Sequence, residues 1–243
     1  MACDVNQCSV FSLFVDDSII NVLVQETNRY AQQKLNRLKL SPSARMHQWK
    51  PTNPPEIKQF LGFLLWMGLV NVSPIANYWS KKNVYNFSLP SSIMSRNSFE
   101  LLLSNIHFVN NNTITPQDRV GKIFQFCNQL QDNFQKVYTP GDDIVIDESL
   151  IPWRGRLIFR QYITNKAHKY SIKLFKLCAN DGYTWAMKIY SGKSADGIRE
   201  TGLAQNVTSV TKLKPLAVLE YNKGKCGIDG SDQMMSYATT MRR

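Results

Sequence analysis

Apolar positions recur every three or four residues through the first half of the chain, which is the spacing of side chains that share one helix face. The first such face comprises Ile20, Leu23, Thr27, Tyr30, Ala31, Leu35 and Leu38. The most regular stripe comes last and comprises Val120, Ile123, Phe124, Cys127, Leu130, Phe134 and Val137. Both patterns predict helices whose apolar faces form part of a core.

Two further helices are predicted between these stripes. Residues 56–70 are apolar on nearly all sides, which indicates a buried helix, and Asn53 is placed to cap it. Ser95 is placed to cap another helix, which carries Phe99, Leu102, Leu103 and Ile106.

The pattern changes to strands after Thr139, Pro140 and Gly141. Residues 144–146 form a β-branched run of the kind found in central strands, and Asn180–Gly182 is a hairpin turn signal. Further strands are predicted at 157–163, 171–179, 183–190 and 216–219, with a short helix at 229–237. The sequence therefore predicts an α+β protein, with a helical domain over residues 1–140 and a mixed β-sheet domain over 141–243.

Composition narrows the class of protein. The 243 residues are 43% hydrophobic, which excludes global disorder, and the net charge of +11 favours a polyanionic partner, DNA or RNA before a membrane surface. A merely soluble basic protein is the alternative.

Five scattered cysteines without CxxC spacing argue against zinc and against a disulfide framework. No apolar run is long enough for a membrane span, and no secretory signal is visible, so cytosol or nucleus remains.

The positive charge is concentrated in one segment. Residues 154–214 contain twelve cationic and three acidic side chains, with aromatic residues interleaved. Cations beside aromatic rings suit contacts to phosphates and to splayed bases, although lysines that solubilise an edge strand would give the same pattern. The candidate DNA-binding residues are Arg154, Arg156, Arg160, Lys166, Lys169 and Lys173.

Three carboxylates are candidate metal ligands. Asp147 follows the buried run 144–146, where a carboxylate is held rigidly, but an acid that caps a turn at a strand end is an alternative. Asp229 and Asp232 stand three residues apart, so on a helix they would share a face. A helix cap followed by a first-turn acid explains the same pair, and the pattern does not separate the two interpretations.

Several blocks of sequence, read together, resemble the piggyBac transposase family. In the second half these blocks are Asp147-Glu148-Ser149-Leu150, Trp153-Arg154-Gly155-Arg156, residues 165–170, Tyr221-Asn222-Lys223 and residues 227–233. In the first half they are residues 27–30, 78–80, 94–96 and 107–108, and Asp118-Arg119 with Lys122. The blocks occur in the family's order and cover nearly the whole chain from about Phe11.

The resemblance implies a fold and a chemistry. Members are cut-and-paste DNA transposases of the nucleus, with a helical dimerisation and DNA-binding domain before a ribonuclease H-like catalytic domain. Three aspartates hold two Mg²⁺ ions, which activate the nucleophile and the leaving oxygen. Asp147 matches the first aspartate, Asp229 the third, and Asp232 an additional acid beside it. We therefore expect Asp147 and Asp229 to lie near each other.

The second aspartate has no counterpart. In the family it belongs to a D-N-[WFY]-[YF]-T-S block, whereas this chain passes from residues 200–207 directly to 214–218, which places an apparent deletion near 208–210. The family's last helices and its zinc-binding tail are also absent before Arg243. The resemblance thus predicts an incomplete ribonuclease H-like sheet in which Mg²⁺ is not bound productively.

The sequence interpretation is a catalytically defective, piggyBac-derived protein that retains DNA binding through phosphates. One alternative is an interaction protein that pairs with a full-length relative as a heterodimer and makes no DNA contacts of its own. A homodimer of this chain is the other assembly considered. A second is an active transposase that borrows its missing acid from another subunit. A third is a decayed or mis-spliced product.

Overall fold

The computed structural model describes residues 7–37, 40–141, 143–164, 166 and 168–192. Its helices are α1 (Gln7–Phe14), α2 (Asp17–Arg37), α3 (Pro54–Leu69), α4 (Ser88–Ile93), α5 (Arg96–Asn105) and α6 (Gly121–Val137). Its strands are β1 (Ile144–Pro152), β2 (Gln161–Tyr162), β3 (Tyr170–Ala179) and β4 (Thr184–Ile189). The predicted α+β class and the change from helices to strands between residues 138 and 144 are confirmed.

The described chain forms two compact units. One contains residues 15–113, and the other contains residues 7–14 together with 114–192. The predicted functional boundary at residue 140 stays a prediction. None of the described helices combines the length and the apolar character needed to cross a membrane.

The first unit is held together by aromatic side chains of α3 and α5. Phe60, Phe63 and Phe99 are fully buried, and the ring centroids of Phe63 and Phe99 lie 5.1 Å apart. Trp79 joins them at 5.3 Å from Phe63. Burial of each such ring stabilises the unit by about 1.5–3 kcal/mol, so this cluster fixes how the two helices pack.

Both predicted helix caps are present. The amide of Glu56 donates to Asn53 Oδ1 at 3.0 Å, and the amide of Ser98 donates to Ser95 Oγ at 3.1 Å. The helix after Asn53 differs from prediction in its burial, because Leu65 and Leu69 are 60% and 70% exposed. The expectation of a helix buried on all sides is therefore wrong, and α3 buries one face.

The second unit is built on a four-stranded antiparallel sheet with β3 at its centre. β1 pairs with β3 from Ser171 to Ala179, while β2 and β4 pair with β3 at opposite ends of its other edge. The predicted hairpin turn joins β3 to β4, and Gly182 adopts a φ of 90° there, a conformation that glycine takes without steric cost. The predicted strand 157–163 is shortened to β2, because residues 157–160 form a turn closed by the Arg160 amide on the Leu157 carbonyl at 3.2 Å.

Helix α6 lies against β4 through hydrogen bonds to the sheet. Tyr183 Oη donates to the Phe134 carbonyl at 2.8 Å, and Trp185 Nε1 donates to the Tyr138 carbonyl at 3.0 Å. The apolar stripe of α6 is half-buried and Phe124 is 56% exposed, so the expectation that this whole stripe forms core is wrong for the part of the chain described. The predicted strand at 216–219 and the helix at 229–237 lie outside the described residues.

We expect Phe63→Ala to lower the free energy of unfolding by about 3–5 kcal/mol, because it leaves a cavity inside the aromatic cluster. Urea denaturation followed by circular dichroism measures this change. Leu65→Ala on the exposed side of the same helix is the matched control and should change stability by less than about 1 kcal/mol. Equal losses in both variants would contradict the one-sided burial of α3.

Candidate carboxylate site and nucleic-acid interface

Asp147 lies in the middle of β1 and not at a strand end. Strand β1 continues for five residues beyond it to Pro152, so the alternative of an acid that caps a turn does not hold. The register places Asp147 directly opposite Lys176 of β3. Directly opposed residues of an antiparallel pair point to the same face, with Cβ atoms about 4.5–5.5 Å apart.

Lys176 is the residue at this site that sequence reasoning missed. It is 5% exposed and lies between Phe175 and Leu177 in a largely buried strand. A lysine inside an apolar strand run is visible in the sequence, but the pairing that sets it opposite Asp147 is not. Burial of an ammonium costs free energy unless charged or polar groups surround it. The groups around Lys176 must therefore compensate a positive charge.

Glu148 points away from Asp147. Successive residues of a strand project to opposite faces, and on the other face Glu148 forms an ion pair with Lys173. The Lys173 ammonium also lies 4.9 Å from the centre of the Phe175 ring. Asp147 Oδ1 meanwhile accepts a hydrogen bond from the Glu148 amide at 2.7 Å. The two neighbouring acids therefore cannot hold one cation together.

The described residues do not fit a Mg²⁺ site. Within the described part of the chain, no three His, Cys, Asp or Glu side chains come close enough to hold a metal ion. Mg²⁺ requires octahedral oxygen ligands, whereas the nearest facing side chain across the strand pair from Asp147 is a lysine. Asp229 and Asp232 lie outside the described residues, so their proximity to Asp147 stays a prediction.

Asp181 is the described acid that lies between the family blocks at residues 165–170 and 221–223. It occupies the turn between β3 and β4. Its carboxylate accepts the Tyr183 amide at 3.0 Å, and this bond, with a further one from the Tyr138 hydroxyl, holds the pKa of Asp181 below its usual value. The turn follows the end of β3 at Ala179, three residues past Lys176. Asp181 is therefore engaged locally and is not placed to replace the missing aspartate.

The predicted DNA-binding residues divide into two groups. Arg154, Arg156, Lys166 and Lys169 are exposed around the turns that flank β2. Arg160 instead stacks its guanidinium 4.2 Å from the centre of the Tyr170 ring. Its Nη1 also donates to the carbonyls of Arg154 and Gly155, at 3.2 and 3.1 Å. Arg160 and the ion-paired Lys173 therefore stabilise the protein, and the four exposed cations are available to a ligand.

Aromatic rings lie beside the exposed cations. Trp153, 42% exposed, donates its amide to the Tyr170 carbonyl at 3.0 Å, and the Tyr170 ring lies 5.1 Å from Tyr162. A side chain at Gly155 would come within 2.8 Å of Trp153 Nε1, so glycine lets the indole lie against the turn. We define the aromatic–basic surface as Trp153, Arg154, Arg156, Tyr162, Lys166, Lys169 and Tyr170. No Asp or Glu occurs in residues 149–180, so no acid of its own sequence neighbourhood neutralises this surface.

Two residues of the Asp118-Arg119 block have structural tasks. Asp118 Oδ1 accepts the Gly121 amide at 2.8 Å at the start of α6, and Arg119 Nη1 donates to the Ser191 carbonyl at 3.0 Å. A Cβ at Gly121 would meet the Asp118 carboxylate at 2.6 Å, so glycine lets this carboxylate approach the helix start. This block joins α6 to the end of the sheet.

Known proteins are similar to this chain in sequence. The family model described as Transposase IS4 matches residues 7–213. Human PiggyBac transposable element-derived protein 3 is 28% identical over 185 residues, which are 76% of this chain and 29% of that protein. Human PiggyBac transposable element-derived protein 5 is 25% identical over 194 residues, which are 77% of this chain and 36% of that protein.

A solved structure shares the fold. It is described as the cryo-EM structure of a piggyBac transposase synaptic complex with hairpin DNA, and it matches with a TM-score of 0.63 and 29% identity. The match covers 84% of this chain and 41% of that chain. The chain thus spans well under half the length of the relatives it matches.

Arg160→Ala should lower the free energy of unfolding by roughly 1–3 kcal/mol, because it removes a cation–π contact and two hydrogen bonds from a charged donor. Arg156→Ala is the matched control, since that side chain is exposed, and should change stability by less than about 0.5 kcal/mol. Thermal and urea unfolding of both variants measure the difference. A neutral Arg160→Ala would show that this arginine does not hold the turn.

Proposed function

The chain belongs to the piggyBac type of the transposase IS4 family, and from that membership we propose that it binds DNA through phosphate contacts without cleaving it. The observation that carries the proposal is the aromatic–basic surface, where four exposed cations are interleaved along the chain with exposed aromatic rings on an acid-free stretch. We also propose a nuclear location, because DNA is the proposed ligand.

Electrostatics favour DNA as the ligand. Exposed Lys and Arg displace the counterions of the phosphate backbone, and this release supplies most non-specific affinity. Arg160 and Tyr170 support the turn from inside, so Arg154 and Arg156 project from a fixed backbone. The solved relative was captured with hairpin DNA, which is consistent with a nucleic-acid ligand for this chain.

The absence of cleavage follows from the carboxylates. Membership of a transposase family implies divalent-metal use in general, and two-metal cleavage needs several carboxylates around both ions. The sequence lacks the block that carries the second aspartate, and Asp147 faces a lysine. The proposal is therefore a binding protein whose remnant carboxylate performs no metal-dependent step.

The alternative functions differ in whether they require a cation at Asp147 and whether they require contacts to DNA. A transposase that borrows an acid from another subunit would still need a cation at Asp147. An interaction protein, either as a homodimer or as a heterodimer with a full-length relative, would need no DNA contact of its own. A salt series of duplex binding and a nicking assay separate these from the proposed function.

Binding to a fluorescent duplex should weaken steeply with salt, with a log–log slope of about −0.9 for each phosphate contacted. The double variant Arg154→Glu, Arg156→Glu should weaken binding for all sequences alike and flatten the slope by about 2. Fluorescence anisotropy over a salt series measures both quantities.

The matched control for that experiment is Lys81→Glu, Lys82→Glu, which makes the same change in net charge at two exposed lysines of the other unit. It should leave the slope nearly unchanged. Equal effects of the two double variants would show that net charge decides binding, and absence of binding at low salt would favour the interaction partner.

No nicking of a transposon-end duplex should occur with Mg²⁺ or Mn²⁺, because the second aspartate block is missing. Denaturing gels of a labelled duplex measure the nicks, and Asp147→Ala is the control for contaminating nucleases. Nicks that disappear in Asp147→Ala would overturn the proposal and favour the borrowed acid.

A further inference from the structure

Lys176 places a positive charge beside a position where the metal chemistry of the family requires groups that bind a cation. It lies in the middle of β3, is 5% exposed, and is flanked across the sheet by Asp147 on β1 and Met187 on β4. Because side chains alternate along strands, Val145, Asp147 and Ser149 share its face. In the described sheet, Asp147 is the one carboxylate on that face, since Glu148 turns to the other face and pairs with Lys173.

A buried ammonium and a divalent cation compete for the same carboxylate. Charges interact strongly at a few ångströms in the interior, where the effective dielectric constant is far below that of water. An ammonium tethered across the strand pair from Asp147 attracts the carboxylate and repels any Mg²⁺ or Mn²⁺ that approaches it. The tether also holds the ammonium at a fixed place, whereas a metal ion must be taken from solution.

We infer that Lys176 is a built-in cation that takes the place of a metal ion beside Asp147. The inference rests on the proposed function and deepens it, since it names a residue of this chain that keeps the remnant site free of metal. Asp147 then stabilises the sheet through its charge. The missing aspartate block lowers metal affinity, and Lys176 closes the site independently of that loss.

This role reverses the usual consequence of neutralising a metal-site aspartate. Where carboxylates converge without their cation, Asp→Asn relieves repulsion and raises stability. With Lys176 opposite, Asp147→Asn removes the carboxylate that faces a buried ammonium, and stability falls. The direction of the change therefore distinguishes a built-in cation from an empty metal site.

The experiment titrates Mn²⁺ into the full chain and detects bound ion by electron paramagnetic resonance. Four proteins are compared: the wild type, Asp147→Asn, Lys176→Met and the double variant. Methionine keeps an unbranched apolar side chain, one atom shorter than that of lysine, without the charge. We expect the wild type and Asp147→Asn to bind Mn²⁺ equally weakly. Lys176→Met should bind roughly tenfold or more tightly, because the repelling charge is gone, and the double variant should lose that gain.

Two results overturn the inference: Mn²⁺ binding by the wild type that Asp147→Asn abolishes, or a folded Lys176→Met that gains no Asp147-dependent site. If Lys176→Met does not fold, the unfolding midpoint of Asp147→Asn decides. A lower midpoint that EDTA does not change supports the inference, whereas an equal or higher midpoint contradicts it. Duplex binding, measured separately, is independent of all these outcomes, so failure here leaves the proposed DNA binding standing.

Discussion

The nine-residue antiparallel ladder between β1 and β3 decides the chemistry of this protein, because its register fixes which side chains face each other. With Ile144 paired to Ala179 and Pro152 to Ser171, Asp147 lies opposite Lys176. A slip of one residue would turn Asp147 to the other face of the sheet. The buried residues Val145 and Cys178 pair two residues along the same ladder and favour this register. A hydrophobic pattern thus sets the electrostatics of the carboxylate.

The same ladder ends at the proposed DNA-binding surface. The Trp153 amide extends the pairing one step past Pro152, to the Tyr170 carbonyl. Charge is distributed unequally along this path. Lys176 is buried, Lys173 is ion-paired, and the arginines at 154 and 156 are exposed. The cations of one basic segment therefore differ in burial. Buried or ion-paired ones stabilise the sheet, and exposed ones can reach a polyanion. A count of charges along the sequence does not make that distinction.

The helical unit is stabilised by packing and by local hydrogen bonds. Its core is a cluster of aromatic rings, and two side-chain caps fix where α3 and α5 begin. The exposed leucines of α3 leave an apolar strip on the surface.

The sequence by itself determined the local structure and the family. Helical spacing, the caps at Asn53 and Ser95 and the turn at Asn180–Gly182 depend on neighbouring residues, so they were predictable from the sequence and the structure confirms them. The family could be recognised from short sequence blocks and from their order along the chain, both of which can be read without a structure. Tertiary structure alone decided which faces are buried: α3 and α6 are apolar on sides that the described chain leaves partly exposed. It also decided that Lys176 opposes Asp147 and that Arg160 is engaged with Tyr170. These contacts join residues ten to thirty positions apart through strand register and turn geometry, which local sequence patterns do not encode.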